Sequence, residues 1–516
     1  EGHEATQAVI VRFELPIGVD ELTDDERNAQ ARTFEGRPFE LAPKGVGVGL
    51  GIKDFRGIFV FASQDVMKRF TEQGWNANAQ VDAAAKAGAI LHIPAGEYRT
   101  GKLTLKSNSN LTGVAGLSVL KLTGDKAALT ARSAANIHLS GLVLDGGGSA
   151  PGTRGIESAL ISASRVEGLS VTGCKITGSG ANGISLTGCS GKITDNEIAQ
   201  ATITGLFCND SSGLEISHNT VRDCGNNGIQ VWRSTAGEDG TIITQNRVDD
   251  IRAERGGSGQ NGNGINVFKA DGVQVTGNRI TNCEFSAIRG NAASNFQVIG
   301  NSCARLGEVA IYAEFGFEGA MIVNNLIDKA ASGLSITNFN EGGRMAVAQG
   351  NLIRNLFLRK GKRGVGIGVE ADAMVSGNLI EGAPGGGIMI GWGKYLRDVN
   401  VTGNLVREAR VGIGISTTTD AGYAFVTNNM ISGAAEGGDG KGLHGYVTLR
   451  TAGGDTFKAS LVQSQLLGPD GAMTHSRSVV LRDLVWRGGG EAGRSPEETL
   501  HWLFDEAPVG IVLLDL

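Results

Sequence analysis

Short runs of alternating apolar and polar residues, each bounded by Gly, Asn or Asp, recur along residues 174–430. A period of two predicts β-strands. One recurring phrase has the form VTGNLV, and a second has the form NGIQV. The first phrase repeats every 23 to 32 residues, which is the spacing of a solenoid. Its recurring Asn residues are Asn196, Asn219, Asn246, Asn278, Asn301, Asn325, Asn351, Asn378, Asn404 and Asn429.

Each repeat holds three short strands and three turns, which is too little to bury a face alone. Stacked repeats bury a continuous core. We therefore predict an all-β protein, a right-handed parallel β-helix of about a dozen coils with small α/β flanking segments. The recurring Asn is expected at a tight corner in the left-handed backbone conformation, with its amide bonded from coil to coil. The missing Leu pattern and missing helical segments disfavour a leucine-rich solenoid.

Composition narrows the class of protein. The 516 residues include 80 Gly and only 5% aromatic residues, which suits a turn-dense β structure. The net charge of −6 gives no electrostatic footprint for nucleic acid. No apolar run is long enough to predict a membrane span. The six cysteines show no zinc-ligand spacing and are predicted to be buried free thiols: Cys174, Cys189, Cys208, Cys224, Cys283 and Cys303.

The N-terminal part of the chain changes character twice. Residues 45–88, within a first segment 1–80, contain FRGIFVFA and SQDVMKRFTEQG. They resemble the C-terminal half of the SYLF family, which implies contact with lipid or a membrane surface. The stretch VDAAAKAGAILHIPAGEYRTGKLTL (81–105) then predicts a short Ala-rich helix followed by strands. It resembles the start of pectin-lyase-like β-helices, in which the helix covers the open apolar end.

Residues 81 to about 436 resemble a bacterial family of twin-arginine-translocated repeat proteins. The resemblance is carried by NNGIQVWRSTAGEDGT (226–241), GGSGQNGNGINVF (256–268), FSAIRGNAASN (285–295), GEVAIYAEFGFEGA (307–320), SITNFNEGGR (335–344) and GIGVEADA (366–373). It implies a β-helix domain over 81–440 and a periplasmic or secreted location. No twin-Arg motif is present, and Glu1-Gly2-His3 is what we expect of a trimmed start.

The repeats stop after Gly440. Residues 445–486 predict three strands joined by Gly-Gly-Asp and Gly-Pro-Asp-Gly turns. They resemble the C-terminal sheet of a PAS sensor domain, and 495–516 resemble the opening of another. Two interpretations of 441–516 stay open. The segment is either a pair of PAS-like fragments in a fusion or artificial chimera, or a set of strands and a helix that cap the solenoid.

The phrase NGIQV and its equivalents place two residues per coil on the outside, because a strand alternates its side chains. We call these residues the stripe. They are Ser185 and Thr187; Phe207 and Asn209; Gln230 and Trp232; Asn266 and Phe268; Arg289 and Asn291; Tyr312 and Glu314; Ser335 and Thr337; Gly368 and Glu370; Met389 and Gly391. We expect the stripe to be exposed, with residues 249–264 as one wall of a groove and 314–319 and 338–344 as the other.

The stripe suggests chemistry on an acidic polysaccharide. In a uronate lyase or epimerase, Arg289 would neutralise the sugar carboxylate, and Tyr312 and Glu314 would handle protons. Trp232 and Phe268 offer faces for sugar rings. The predicted substrate-binding residues are Gln230, Trp232, Arg233, Asn266, Phe268, Lys269, Asn291, Arg344 and Glu370.

Other functions stay open. Hydrolysis ranks lower, because Glu314 and Glu370 would lie two coils, or about 10 Å, apart. We expect no cofactor; Asp249 with Asp250 is the one candidate for calcium. No His falls on the stripe, so a non-catalytic glycan-binding or structural module is the rival hypothesis. The expected partner is an acidic polysaccharide, with no nucleic acid, optional contact with a membrane surface, and a monomeric or small homo-oligomeric state.

Overall fold

A computed structural model describes residues 77–122, 129–148, 158–257, 259–359, 364–416, 418 and 420–433 with their side chains. It also describes the backbone of short strands at 32–34, 37–39, 58–59, 444–450, 456–467 and 473–482. The chain divides into two compact units, Glu1–Leu306 and Gly307–Leu516. The coils form a right-handed parallel β-helix of about 13 turns, which confirms the predicted fold class.

Among the described residues of the first unit, a helix, Ala77–Ala87, is followed by parallel coils of three strands. Its coil strands are Ile90–Ile93, Gly96–Thr100, Leu103–Leu105, Asn110–Gly113, Ser118–Leu122, Leu129–Ser140, Leu142–Asp145, Ala159–Thr172, Lys175–Ser179, Asn182–Thr187, Gly191–Thr194, Glu197–Ala201, Thr204–Asn209, Glu215–Ser217, Thr220–Cys224, Asn227–Glu238, Ile242–Thr244, Arg247–Ile251, Asn263–Asp271, Gln274–Thr276, Arg279–Cys283, Ile288–Asn291 and Phe296–Ile299. Arg32–Phe34 and Arg37–Phe39 pair antiparallel, and Ile58–Phe59 pairs parallel with Ile90–Ile93. Strand Ser302–Glu314 contains the boundary between the units.

The second unit continues the same three-strand pattern and adds a 3₁₀ turn, Phe339–Glu341. Its coil strands are Glu318–Val323, Leu326–Ile336, Arg344–Gln349, Leu352–Arg354, Val365–Val369, Ala371–Ser376, Leu379–Ala383, Gly386–Ile390, Arg397–Thr402, Leu405–Ala409, Ile413–Ile415, Ala424–Thr427 and Met430–Ser432. The three strands predicted within 445–486 are confirmed as an antiparallel sheet of His444–Arg450, Thr456–Leu467 and Met473–Arg482.

The core of each unit consists of columns of apolar side chains in register. In the first unit, one column is Ile193, Ile216, Ile243, Val275 and Val298, each 0% exposed. Each such side chain contributes about 1.5–3 kcal/mol by burial. Because every coil contributes one member to each column, the burial accumulates with the number of coils rather than within any one of them.

Helix Ala77–Ala87 packs its apolar side against the first coils of the first unit. Val81, Ala84 and Ala85 are buried. The Asn78 side chain accepts a hydrogen bond from the backbone N–H of Thr104 at 2.7 Å and donates one to the Lys102 carbonyl at 3.0 Å. The helix therefore covers apolar surface and satisfies backbone groups of the strand Leu103–Leu105.

The recurring Asn residues form side-chain ladders within each unit. In the first, Nδ2 of Asn196, Asn219, Asn246 and Asn278 each donates to Oδ1 of the next Asn, at 2.9–3.0 Å. In the second, the ladder runs from Asn325 to Asn429 at 2.9–3.0 Å. At each corner between strands, the ladder Asn is the residue whose side chain points inward.

The prediction that the ladder Asn takes the left-handed conformation is wrong by one residue. Positive φ falls on the residue before it, as at Asp195 (59°), His218 (57°) and Gln245 (55°). The corner needs one left-handed residue, and the next side chain must then point inward to reach the neighbouring coils. Asn occupies that second place because its amide both donates and accepts.

Several predictions fall on residues outside the described ranges. The SYLF-like segment lies there except for its last residues and a two-residue strand, and the PAS-like segment 495–516 lies there entirely. The domain boundaries at 80 and 440 stay predictions. In the part of the chain that the structure describes, no helix has the length and apolar character needed to cross a membrane.

Candidate functional site

The predicted stripe exists as two columns of register partners in the first unit. Column one is Ser185, Phe207, Gln230, Asn266 and Arg289. Column two is Thr187, Asn209, Trp232, Phe268 and Asn291. In the second unit, Ser335, Gly368 and Met389 align in the same way. The alignment is therefore confirmed for both columns of the first unit and, in the second unit, for Ser335, Gly368 and Met389.

The predicted exposure of column one is wrong. Gln230, Asn266 and Arg289 are 5%, 3% and 8% exposed, and Phe207 is 3% exposed. Column two is half-buried and faces solvent with part of each side chain. Only column two can therefore offer side chains to a large ligand without rearrangement.

The connection between strands Arg247–Ile251 and Asn263–Asp271 covers column one. The carbonyl of Gln260 accepts hydrogen bonds from Nδ2 of Asn227 at 3.0 Å and Nδ2 of Asn266 at 3.3 Å. Gly259 lies directly on the guanidinium of Arg289, since a Cβ at this glycine would come within 2.0 Å of Nη1. The segment 249–264, predicted as one wall of a groove, thus covers Asn266 and Arg289. Alternation along the strands does not indicate this cover.

The amides of column one bond to neighbouring coils. Thr204 Oγ1 donates to Oε1 of Gln230 at 2.6 Å, and Trp232 Nε1 donates to Oδ1 of Asn266 at 3.3 Å. Gln230 and Asn266 were predicted to bind substrate. Their buried amide oxygens instead hold adjacent coils together and orient the indole of Trp232.

An aromatic ladder follows the same coils. The ring centroids of Phe207 and Trp232 are 5.6 Å apart with an interplanar angle of 79°, and those of Trp232 and Phe268 are 5.5 Å apart at 57°. Such edge-on and tilted contacts fix the rings. Lys269 Nζ lies 5.0 Å from the centroid of Phe268. No carboxylate of the described residues forms an ion pair with Lys269, so its charge is available beside the rings.

Arg233 begins a bulge after Trp232, where the register shifts before Gly237. Its Nη1 donates to the Ser211 carbonyl at 3.3 Å and lies 3.9 Å from Oδ2 of Asp239, which is buried. Burial raises the pKa of Asp239, while hydrogen bonds from Thr241 and the charge of Arg233 oppose the rise. Arg233 is therefore largely committed to the protein, unlike Lys269.

The three residues predicted to be catalytic belong to different units. Arg289 lies in the first unit, and Tyr312 and Glu314 lie in the second. Tyr312 is half-buried, whereas Glu314 is 5% exposed. The expectation that Glu314 stands exposed on the stripe is wrong, and its role in proton transfer stays a prediction.

Glu370 was also expected on the exposed stripe, but it is 8% exposed and supports a turn. Its Oε2 accepts the backbone N–H of Phe339 at 2.7 Å, at the start of the 3₁₀ turn Phe339–Glu341. Burial raises the pKa of Glu370, partly opposed by hydrogen bonds from the backbone of Phe339 and Asn338. Its carboxyl group holds the turn in place.

Arg344, predicted to flank the stripe and bind substrate, forms ion pairs within the chain. It forms ion pairs with Glu318 and, at 3.3 Å, with Asp372. Asp372 also accepts two hydrogen bonds from Arg397, at 2.7 and 2.5 Å. These hydrogen bonds from Arg397 and Arg344 lower the pKa of Asp372. The network leaves Arg344 little charge for a ligand.

A projecting loop that is not part of the predicted stripe follows Gly391. Trp392 is 56% exposed, and its backbone N–H and carbonyl bond reciprocally with Tyr395 at 3.1 and 3.0 Å. Lys394 Nζ lies 5.6 Å from the Tyr395 ring. Gly391 and Gly393 take φ of 80° and 56°, as this tight turn requires. The Gly-Trp-Gly spacing was the available signal for an exposed aromatic side chain on a fixed turn.

Asp249 and Asp250 bond to neighbouring side chains, and the six cysteines are buried. Asp249 accepts hydrogen bonds from Thr281 at 2.5 Å and Asn282 at 2.6 Å, and Asp250 pairs with Arg252 at 3.4 Å. Across the described ranges, no three His, Cys, Asp or Glu side chains gather as metal ligands. The six cysteines are buried and unpaired, as predicted. Burial raises the pKa of Cys174 to about 11 and of Cys224 to about 12.

The coils and their register define the class of protein: a right-handed parallel β-helix protein. Residues 234–406 match a family profile described as "Right handed beta helix region". Residues 153–305 match one described as "Periplasmic copper-binding protein (NosD)". No curated protein matches the chain.

Solved structures with a similar fold include three carbohydrate-acting enzymes. The A-module of a mannuronan C-5 epimerase from Azotobacter vinelandii is 17% identical, with 69% of this chain and 94% of that chain covered and a TM-score of 0.36. An exopolygalacturonase from Thermotoga maritima is 15% identical, with 72% and 88% covered and a TM-score of 0.35. An alginate lyase from Paenibacillus sp. is 14% identical, with 68% and 97% covered and a TM-score of 0.26. None of these alignments assigns a role to a residue of this chain.

Proposed function

We propose that the chain binds an acidic polysaccharide along column two of the first unit. The observation that carries the proposal is the aromatic ladder of Phe207, Trp232 and Phe268 with Lys269 beside it, a cation that forms no ion pair with the carboxylates the structure describes. Fixed, half-exposed rings give sugars apolar contact at little cost in conformational entropy. A lysine without a carboxylate partner favours an anionic ligand over a neutral one.

Column two extends this surface beyond the rings. Asn209 and Asn291 occupy the same column on either side of Trp232 and Phe268, and both are half-buried. Their amides offer donors and acceptors to sugar hydroxyl groups. At about 4.8 Å per coil, the column from Thr187 to Asn291 is about 19 Å long, which suits a chain ligand better than a single sugar.

Binding has more support than chemical modification. A lyase or epimerase needs Arg289 to meet the sugar carboxylate, yet Arg289 is buried under Gly259. A periplasmic or secreted location belongs to this proposal, since extracellular polysaccharides are found there. Incubation with polyuronates, followed by ultraviolet absorbance of unsaturated ends, tests the lyase hypothesis. An increase that disappears in Arg289→Ala and Tyr312→Phe would make the chain an enzyme.

The binding proposal is tested by affinity electrophoresis in gels that contain alginate, polygalacturonate or a neutral glucan. We expect retardation by the polyuronates, at least tenfold weaker binding for Trp232→Ala, and about threefold to tenfold weaker binding for Lys269→Asn. Asn suits the left-handed backbone at position 269, where φ is 55°.

Lys329→Asn is the matched control, because Lys329 also has a left-handed backbone, with φ of 60°. It should migrate as the wild type does. Equal retardation by the neutral glucan would contradict the acidic ligand. Unchanged retardation of Trp232→Ala would contradict the aromatic ladder as the site.

A further inference from the structure

The outer face of the second unit carries an apolar column of unusual length. It consists of Leu326, Leu352, Leu379, Leu405 and Met430, which are register partners on successive coils. We call it the leucine column. Leu326 is 38% exposed and Met430 is 63% exposed, with the three between them half-buried. Continuous apolar surface of this kind marks an interaction site more often than a solvated face.

The fold itself does not require an apolar residue at this position. In the first unit the equivalent column, one residue after each ladder position, is polar over the six coils from Lys175 to Ser302. Its members are Lys175, Glu197, Thr220, Arg247, Arg279 and Ser302. The leucine column is therefore a property of the second unit, independent of the proposed glycan site in the first.

A second column lies two residues further along the same strands and alternates in charge. Its charged members are Asp328, Arg354, Glu381 and Arg407. We call it the charge column. Arg354 pairs with Asp328 at 3.5 Å and Arg407 pairs with Glu381 at 3.4 Å. The order is minus, plus, minus, plus, with zero net charge, so this face does not repel a copy of itself.

The order of these charges selects one orientation of a copy. A two-fold axis that lies in the interface parallel to the strands places leucine column on leucine column and charge column on charge column, each in reversed order. With the axis midway between the coils of Leu352 and Leu379, Asp328 faces Arg407 of the other copy and Arg354 faces Glu381, so every facing pair has opposite signs.

An axis centred on Leu379 would set Glu381 on Glu381, so the charges select the first register, and Met430 lies beyond the contact. A two-fold axis along the stacking direction of the coils cannot overlay both columns. Centred on the leucine column it leaves the charges without facing partners, and centred between the columns it sets leucines against charges.

We propose that this face is a homodimer interface, in which two copies of the chain associate antiparallel through their leucine and charge columns. Four coils at about 4.8 Å make the contact about 14 Å long, which is small for a stable dimer. The association should therefore depend on protein concentration. It should also weaken as ionic strength rises, because the facing charges are exposed.

Sedimentation velocity of the full chain over a wide range of concentrations tests the proposal. The weight-average sedimentation coefficient should rise toward that of a dimer. The double variant Leu379→Gln with Leu405→Gln should stay monomeric, whereas Thr220→Gln, at the equivalent position in the first unit, should associate as the wild type does. A wild type that sediments as a monomer at every concentration would overturn the proposal.

A charge-order experiment tests the orientation. Asp328→Arg with Arg354→Asp keeps the composition and the pair within the chain, but it changes the order to plus, minus, minus, plus. That order reads the same in reverse, so like charges would face each other and dimerisation should fall at least tenfold.

Adding Glu381→Arg and Arg407→Glu gives plus, minus, plus, minus, which is complementary again in reverse. The fourfold variant should therefore dimerise as the wild type does, and it also controls for loss of folding in the double swap. Equal dimerisation of the double swap and the wild type would overturn the antiparallel arrangement. These residues belong to the second unit and the aromatic ladder to the first, so failure of this proposal leaves the glycan proposal untouched.

Discussion

At the scale of single residues, the ladder Asn are the most constrained polar side chains in the coils. Oδ1 of Asn246 accepts from the backbone N–H and the Nδ2 of Asn219, at 2.9 and 3.0 Å. Its Nδ2 donates to the carbonyl of Ile216 at 2.9 Å and to Asn278 at 3.0 Å. An apolar replacement leaves several buried groups without partners, which costs more than the bonds contribute in net terms.

We predict that Asn246→Ala lowers the free energy of unfolding by about 2–4 kcal/mol, read from the urea midpoint. Asn429→Ala is the control. Asn429 makes similar bonds at 2.9–3.0 Å but is only half-buried, so water can replace them. Its loss should be less than half as large. Equal losses at the two positions would mean that burial does not govern the ladder.

At the scale of elements, the alternation of side chains along a strand predicts which residues align from coil to coil. It does not predict which of them are exposed. It placed Gln230 beside Trp232 and aligned Arg289 with Asn266, and the register confirms both. Exposure failed at Arg289 because a connection that returns over the strand is a long-range contact. The pattern of residues in the strand around Arg289 carries no information on whether Gly259 lies over the guanidinium.

The same limit explains Glu370. Its position after strand Val365–Val369 suggested a stripe carboxylate, but the 3₁₀ turn Phe339–Glu341 from the preceding coil closes over it. The spacing of the repeats predicted the coil and the column in which Glu370 lies. It gave no information on which insertion would cover which side chain, and therefore none on which charges stay free for a ligand.

Glu370 and Asp372 should respond to pH in opposite directions. Burial raises the folded-state pKa of Glu370 above its ordinary value of 4.5. The folded chain then holds a proton that the unfolded chain has lost, so this group's contribution to stability is lost as pH rises through that window. We predict that Glu370→Gln, which can still accept from Phe339, becomes increasingly stable relative to the wild type as pH rises from 4 to 7.

Asp372→Asn is the opposite case. Arg397 and Arg344 lower the pKa of Asp372 below 3.8, so its ion pairs stabilise the fold above that pH and are lost as pH falls through the folded-state value. The Asp372→Asn variant should be less stable than the wild type at neutral pH, and the difference should shrink in acid. Urea unfolding at several pH values measures both. A Glu370→Gln variant that loses stability as pH rises would contradict the direction of the shift.

At the scale of the whole molecule, the strands of each described coil pair with the equivalent strands of the adjacent coils. A solenoid of this kind has a stability made of local coil terms and nearest-neighbour contacts, so a defect at one end should spread only a few coils. The helix Ala77–Ala87 is the place to introduce one, because Val81 is 2% exposed and closes the apolar end of the first unit.

We predict that Val81→Asp frees the helix and raises hydrogen exchange along residues 90–113, with protection kept along 243–283. An unpaired carboxylate at a buried site costs several kcal/mol, enough to open the end coils but not the coils beyond them. Lys86→Asp, on the exposed side of the same helix, should leave exchange unchanged. Uniform loss of protection through residue 283 in Val81→Asp would instead mean that the first unit unfolds as one cooperative block, and that the helix stabilises all of it.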